Sequence, residues 1–190
     1  MSAKRRNAVA IACQWGKAKS HQNELLAICA IDVLTGEVLI NSLVAPLQPM
    51  LRWLENVHGI TQKKIDAAVE KHQCLRGWRE ARTKLLDHID GQTILVGYTV
   101  GFDLGLLRLF HTTIVDSQVL ATSAVFPNQW GKKKRPKWPM PKVCSDFLGK
   151  PIKHHAVSES CTESVFEKAL VSREIALQCI QRPRDFEEWA

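Results

Sequence analysis

The stretch Leu95-Val96-Gly97-Tyr98-Thr99-Val100-Gly101-Phe102-Asp103-Leu104-Gly105-Leu106-Leu107 decides the fold of this protein. Its beginning belongs to a short apolar run, 94–98, which is typical of a buried strand. A short helix is predicted over 104–110, and Asp103 directly before it has the side chain of a helix N-cap. A strand followed at once by a helix is a unit of an α/β sheet.

The rest of the chain extends this unit in both directions. Upstream, apolar runs at 8–13, 24–33 and 38–44 predict an antiparallel meander. Further elements are expected as helices over 61–68, 72–90, 117–126, 143–148 and 158–180 and as a strand over 112–115. Three strands followed by alternating helices and strands predict an α/β fold, a mixed sheet of about five strands flanked by helices. We expect one domain over 1–180 and a C-terminal tail over 181–190.

The composition is that of an ordinary globular protein. Of the 190 residues, 45% are hydrophobic and 24% are charged, and no apolar run approaches the roughly 18 residues of a membrane span. The six cysteines are widely spaced without a C-x-x-C pair, which predicts free thiols in a reducing compartment. We therefore expect an intracellular protein without a membrane partner, in the nucleus or in the cytoplasm.

The distribution of charge favours nucleic acid as a partner. The net charge is +7, and much of it is concentrated in the proline-rich stretch 127–141, which is expected to be an exposed loop. Trp130 and Trp138 flank the basic run. The cations of this run are Lys132, Lys133, Lys134, Arg135 and Lys137. They are interpreted as a nucleic-acid contact, a nuclear import signal or both, with a merely solvated loop as the alternative.

Several segments, in order, resemble the DEDDh 3′–5′ exonucleases, in particular the branch of RNA exonuclease 4 and the interferon-stimulated exonuclease. Residues 10–16 resemble the strand A-x-D-C-E-M-V, and 56–61 resemble R-V-S-G-I-T. Residues 95–107 resemble L-V-G-H-x-x-x-x-D-L-x-x-L, 114–117 resemble a strand ending in D-T/S, and 154–160 resemble H-x-x-V-E-D-A. The resemblance covers roughly residues 8–170 and implies an RNase H-like fold.

The family uses four carboxylates to hold two divalent metals, and a histidine draws a proton from the attacking water. By the resemblance, the first two carboxylate positions are Ala12 and Gln14, which carry no charge, and the third is Asp103. Because hard cations select anionic oxygen, we expect no bound metal and no cofactor. Asp103 and Glu159 are at most weak metal candidates.

The last motif aligns in two registers. In the preferred one, Val157 matches the family's valine, His154 takes the place of the general base, and Glu159 replaces the aspartate. In the other, His155 is the base and the acidic position holds Ser160. If the family resemblance is set aside, His154 and His155 are interpreted as solvated loop residues. Glu159 is then a residue that simply favours a helix N-terminus.

Trp15 directly follows Gln14, the second of the two uncharged carboxylate positions in the first strand. The family has an apolar residue near the terminal nucleotide there, so Trp15 is interpreted either as a stacking platform for a base or as a core residue that fills the emptied pocket.

The sequence therefore predicts a catalytically inactive exonuclease-like domain. It would bind single-stranded RNA or DNA, RNA being preferred, or serve as a protein-interaction scaffold in an RNA-processing or silencing complex. The alternative is an active 3′–5′ RNA exonuclease that uses Mg²⁺ or Mn²⁺ with Asp103, Glu159, His154 and neutral Gln14. A third hypothesis is a protein-binding module whose contacts come from tryptophans: Trp53, Trp130, Trp138 and Trp189.

Overall fold

The computed structural model describes residues 5–126, 138–149 and 162–189. Within them the strands are β1 (Ala8–Ala18), β2 (Asn23–Asp32), β3 (Val38–Ala45), β4 (Met50–Arg52), β5 (Cys74–Arg76), β6 (Ile94–Gly97) and β7 (Ile114–Asp116). The helices are α1 (Glu55–His58), α2 (Gln62–Glu70), α3 (Gly77–Leu86), α4 (Val100–Leu107), α5 (Ser117–Val125), α6 (Met140–Asp146), α7 (Glu163–Gln181) and α8 (Pro183–Trp189).

The seven strands form one mixed sheet in the order β5-β3-β2-β1-β6-β7, with β4 paired to the far end of β1. The meander β1-β2-β3 is antiparallel, whereas β6 and β7 join β1 in parallel, as does β5 to β3. The predicted α/β architecture is confirmed. The sheet exceeds the expected five strands because β4 and β5 have only three residues each, too few for a clear pattern.

The predicted helix over 72–90 is divided into β5 and α3 at Gly77. Gly77 has φ +73°, and a Cβ at this position would lie 2.5 Å from the Leu47 side chain. Only glycine takes this left-handed conformation freely, so the chain changes there from strand to helix. Residues 74–76 then pair in parallel with β3.

Strand β1 is buried on both faces of the sheet, because successive side chains alternate between them. Val9, Ile11 and Cys13 face a core shared with α3 and α4. Ala12 faces the opposite core, which includes Val165 and Ala169 of α7. The helices therefore cover both faces, and side chains from α4 and α7 approach the same end of β1 from opposite sides.

The turn between β6 and α4 is held tightly. A Cβ on Gly97 would lie 2.9 Å from the Cβ of Val100 and 3.3 Å from the backbone oxygen of Ile11, so glycine is needed for this close approach. The Asp116 carboxylate accepts hydrogen bonds from the backbone N–H groups of Thr99 and Val100, at 3.0 and 3.1 Å. These bonds start α4 at Val100, four residues earlier than predicted, and Asp103 is therefore inside the first turn rather than at the N-cap.

The last residues do not form the predicted tail. Residues 183–189 form α8, whose Phe186 and Trp189 each lie with their ring centroids 5.1 Å from that of Phe147. Trp138 joins this aromatic cluster, 6.4 Å from Trp189. Apolar packing of these rings, which local sequence patterns do not reveal, keeps the C-terminal segment against α6 and α7.

In the described part of the chain, no helix is both long and apolar enough to cross a membrane. The five cysteines that lie in it carry free thiols, and Cys161 lies outside the described residues.

Candidate functional site

A bulge in the middle of β1 shapes the candidate site. The pairing of β1 with β2 changes register between Gln14 and Trp15, and such a bulge turns the following side chains in a new direction. Buried His58 fixes the distorted backbone, because its Nε2 lies 3.1 Å from the Trp15 oxygen and its Nδ1 accepts from the Ile60 N–H at 3.2 Å. Desolvation lowers the pKa of His58, so its neutral form fits this role.

Ala12 and Asp103, which the sequence assigned to one site, are brought together. Both line a cavity of about 300 Å³ beside the middle of β1. Asp103 comes from the first turn of α4 and is only 6% exposed. Gln14 is buried next to them, with 2% of its surface exposed.

Two residues of α7 complete this cluster. The Gln14 Nε2 donates to the Ser164 Oγ at 2.9 Å, and the Lys168 Nζ donates to the Gln14 Oε1 at 3.1 Å. Both ends of the Gln14 amide are therefore occupied by side chains from α7. Lys168 also lines the cavity beside Asp103.

The sequence-based reasoning missed Ser164 and Lys168. A signal existed, because Lys168 lies at helical spacing with buried Val165, Ala169 and Ser172 and thus on the face of α7 that packs on the sheet. A lysine on such a face needs a partner, since an isolated buried charge is costly.

Burial dominates the electrostatics of the cluster. Desolvation raises the pKa of Asp103 to about 8, and the charge of Lys168 and a hydrogen bond from the Cys13 backbone oppose this rise. Desolvation also lowers the pKa of Lys168, which the charge of Asp103 opposes. The two groups form a buried acid–base pair in which each favours the charged form of the other.

These residues do not fit a two-metal centre. Ala12 offers no ligand atom, and the only oxygen of the Gln14 amide accepts from Lys168. An ammonium among the ligands repels a dication, whereas two metals require dense negative charge. Within 5–126, 138–149 and 162–189, no group of three His, Cys, Asp or Glu side chains is placed to hold a metal.

Several predicted site residues lie outside the described residues. They are His154 and Glu159 of the preferred register, His155 and Ser160 of the other, and the basic run Lys132, Lys133, Lys134, Arg135 and Lys137. Their roles stay predictions, and so does the expected absence of a metal.

Aromatic rings form one wall of the cavity. Trp15 and Phe102 meet edge to face with centroids 5.5 Å apart, and both line the cavity together with Tyr98. Trp15 is half-buried, so it packs on the core and still presents surface to the cavity. The two interpretations of Trp15 are thus compatible.

Sequence comparison finds relatives among RNA nucleases. RNA exonuclease 3 of Candida albicans is 27% identical over 142 residues, which cover 75% of this chain and 32% of that protein. Small RNA degrading nuclease 2 of Arabidopsis thaliana is 26% identical over 157 residues, covering 80% and 31%. The chain thus spans about a third of the length of these relatives.

Solved structures share the fold. The Neurospora crassa Pan2 catalytic unit superposes with a TM-score of 0.74 at 13% identity, covering 96% of this chain and 28% of that one. The Saccharomyces cerevisiae Pan2 pseudoubiquitin hydrolase–RNA exonuclease module in complex with AAGGAA RNA also gives 0.74, at 15% identity, covering 99% and 31%. At these identities, the likeness shows the fold alone, and that fold is the predicted RNase H-like one.

The family pattern described as Exonuclease (RNase T) matches residues 15–158, which is most of the chain. It begins at Trp15, directly after the bulge of β1, and includes Asp103 on α4. The chain therefore belongs to the exonuclease family, within the DEDDh 3′–5′ exonuclease superfamily.

Proposed function

We propose that this protein is an exonuclease domain that binds the end of single-stranded RNA without hydrolysing it. The observation that carries the proposal is the hydrogen bond from the Lys168 ammonium to Gln14, one turn of α7 beyond Ser164. A cation supplied by the chain itself thus lies among the positions where the family binds its metals.

Electrostatics oppose a catalytic metal beside this ammonium. Two unit charges 4 Å apart interact by about 4 kcal/mol at an effective dielectric constant of 20, so a dication and an ammonium repel by about 8 kcal/mol. Asp103 is the only carboxylate lining the cavity among the described residues. At the same distance one carboxylate attracts the dication by about 8 kcal/mol and only cancels that repulsion. No net attraction is left to hold two metals, so the metal-dependent step is lost.

The same features favour RNA binding. The Lys168 ammonium can pair with a phosphate, which the family neutralises with metal. Trp15 and Phe102 present ring surface to the cavity, and base–aromatic stacking contributes about 1–3 kcal/mol per base. RNA is the preferred ligand for two reasons. The matched relatives are named as an RNA exonuclease and a small RNA degrading nuclease, and a structure with the same fold contains bound RNA.

Binding without metal separates this proposal from ordinary exonuclease behaviour. A fluorescein-labelled single-stranded RNA should bind with the same affinity in EDTA as in Mg²⁺, measured by fluorescence anisotropy. Lys168→Met should weaken binding, whereas Lys84→Met, which removes an exposed charge from α3, should not. Binding that requires Mg²⁺ would contradict the proposal.

A second candidate is an active RNA exonuclease, favoured by the nuclease names of the matched relatives. It would use Asp103, Glu159 and His154 with Mg²⁺ or Mn²⁺ and neutral Gln14. For this reaction Lys168 must release Gln14, so Lys168→Met should increase the rate of RNA shortening. Under the first proposal the same variant remains inactive.

The cellular setting is a further part of the proposal. The basic run 132–137 serves as a nucleic-acid contact or a nuclear import signal, and the domain acts within an RNA-processing or silencing complex. Fusion of residues 127–141 to a fluorescent protein tests import directly, because cytoplasmic fluorescence would exclude that role.

A further inference from the structure

We propose a second RNA-binding surface outside the cavity, formed by three arginines around Trp78. The arginine cluster, as we call it, consists of Arg79 and Arg82 of α3 and Arg108 at the end of α4. The inference rests on the proposed RNA-binding function and extends it, because it identifies where the strand continues after leaving the cavity.

The geometry of the arginine cluster is defined by a single ring. The guanidinium carbons of Arg79, Arg82 and Arg108 lie 4.6, 4.8 and 4.4 Å from the centroid of the Trp78 ring. Trp78 is only 9% exposed and packs in the core under α3. A rigid indole thus orients three long side chains, which reduces the conformational entropy they lose on binding.

The backbone at Arg108 is adapted to this arrangement. Arg108 has φ +49° at the C-cap of α4, a left-handed conformation that is uncommon for a residue other than glycine. Its carbonyl oxygen accepts a hydrogen bond of 3.0 Å from the Arg82 Nη1. The end of α4 is therefore connected to α3 through a member of the arginine cluster.

The three charges lack acidic partners in the described part of the chain. None of the three arginines takes part in an ion pair there. Since each guanidinium lies within 4.8 Å of the same ring centroid, any two are within about 10 Å, close to the Debye length of about 8 Å at physiological salt. Their mutual repulsion is relieved when an anion binds.

The exposed ring of Phe110 favours RNA over an acidic protein segment as the ligand. Guanidinium groups present a planar fork of donors that matches phosphate and carboxylate oxygens alike, so the arginines alone do not distinguish the two. Phe110, two residues after Arg108, is 89% exposed, and an exposed ring beside arginines is typical of surfaces that stack bases and bind the backbone of a single strand.

The arginine cluster is also within reach of the cavity. Phe102 and Asp103 at the start of α4 line the cavity, and Arg108 ends the same helix. Arg108 is five residues after Asp103, which corresponds to about 7.5 Å along the helix axis. A strand with its end in the cavity can follow α4 to the arginine cluster.

The test compares single-stranded RNAs of about four and about fifteen nucleotides by fluorescence anisotropy over a range of salt concentrations. The variant carries Arg79→Gln, Arg82→Gln and Arg108→Gln. The matched control removes three exposed cations, from α2, from its C-cap and from α8: Lys63→Gln, Lys71→Gln and Arg184→Gln. Arg79→Gln and Phe110→Ala are measured singly as well, because both residues are exposed and these variants retain the Trp78 core.

For the longer RNA, losing three phosphate contacts should lower the slope of log K against log salt by about 2, with no such change in the control. Phe110→Ala should weaken binding without changing the slope. The shorter RNA should bind all variants alike. An unchanged slope for the longer RNA would overturn the inference and leave an acidic protein segment as the better ligand. Failure of the wild type to bind either RNA would instead overturn the proposed function and this inference together.

Discussion

Restoring the missing carboxylates should not restore a metal site while Lys168 remains. The perturbation is Ala12→Asp with Gln14→Glu, tested with and without Lys168→Met. At present the Lys168 Nζ lies 3.1 Å from the Gln14 Oε1. A carboxylate at this position converts a hydrogen bond into an ion pair that any incoming metal must break.

The magnitude follows from that distance. Opposite unit charges 3.1 Å apart attract by about 5 kcal/mol at an effective dielectric constant of 20. A Mg²⁺ ion competes with this attraction, so the double variant should bind Mg²⁺ about 10³- to 10⁴-fold more weakly than the triple variant. The triple variant has carboxylates at positions 12, 14 and 103 and no ammonium at position 168.

Thermal unfolding with increasing Mg²⁺ measures the difference. At a metal concentration of about 100 times Kd, binding stabilises the folded state by about 2.7 kcal/mol. For a chain of this size, that corresponds to a rise in Tm of about 5–10 °C. The double variant at the same Mg²⁺ concentration should show no rise.

A matched control replaces Lys168→Met by Lys84→Met, which changes the net charge equally at an exposed position on α3. If the double variant, or the control triple variant, binds Mg²⁺ as tightly as the triple variant with Lys168→Met, then Lys168 does not exclude the metal and the reasoning is wrong.

Three further predictions concern RNA binding and pH. Trp15→Ala should weaken binding of single-stranded RNA in EDTA by about 1–3 kcal/mol; unchanged affinity in anisotropy would exclude stacking on Trp15. Burial raises the pKa of Asp103 to about 8, so the stability from this group is present below about pH 4 and is lost as the pH rises towards 8. As the pH rises from 4 to 8, the unfolding free energy of Asp103→Asn should therefore increase relative to that of the wild type. If the two unfolding free energies change with pH in parallel, the raised pKa of Asp103 is contradicted. Changing Lys132, Lys133, Lys134, Arg135 and Lys137 to alanine should lower the salt slope of RNA binding by about 3.5, and an unchanged slope would favour the import role.

Much of the architecture could be predicted because it depends on local patterns. The apolar run at 94–98 becomes β6, and the motif from Leu95 to Leu107 places Asp103 at the cavity with Ala12. Strand β1 was recognisable because its apolar residues continue without a break from Ala8 to Cys13.

The features that could not be predicted from the sequence depend on contacts between residues far apart in the chain. The bond between Gln14 and Ser164 joins residues 150 positions apart, and no local periodicity reveals such a pair. The helix α8 and its aromatic cluster, predicted as a tail, are explained by Phe186 and Trp189 packing on Phe147. The three arginines around Trp78 come from α3 and from the end of α4 and meet only in the fold.

The most direct test of the central proposal is incubation of the wild-type protein, in excess, with 3′-intact, 5′-end-labelled single-stranded RNA in Mg²⁺ or Mn²⁺. We predict that the RNA is bound and recovered at full length, and that EDTA changes neither result. Stepwise, metal-dependent shortening from the 3′ end would contradict the proposal and establish the protein as an active exonuclease.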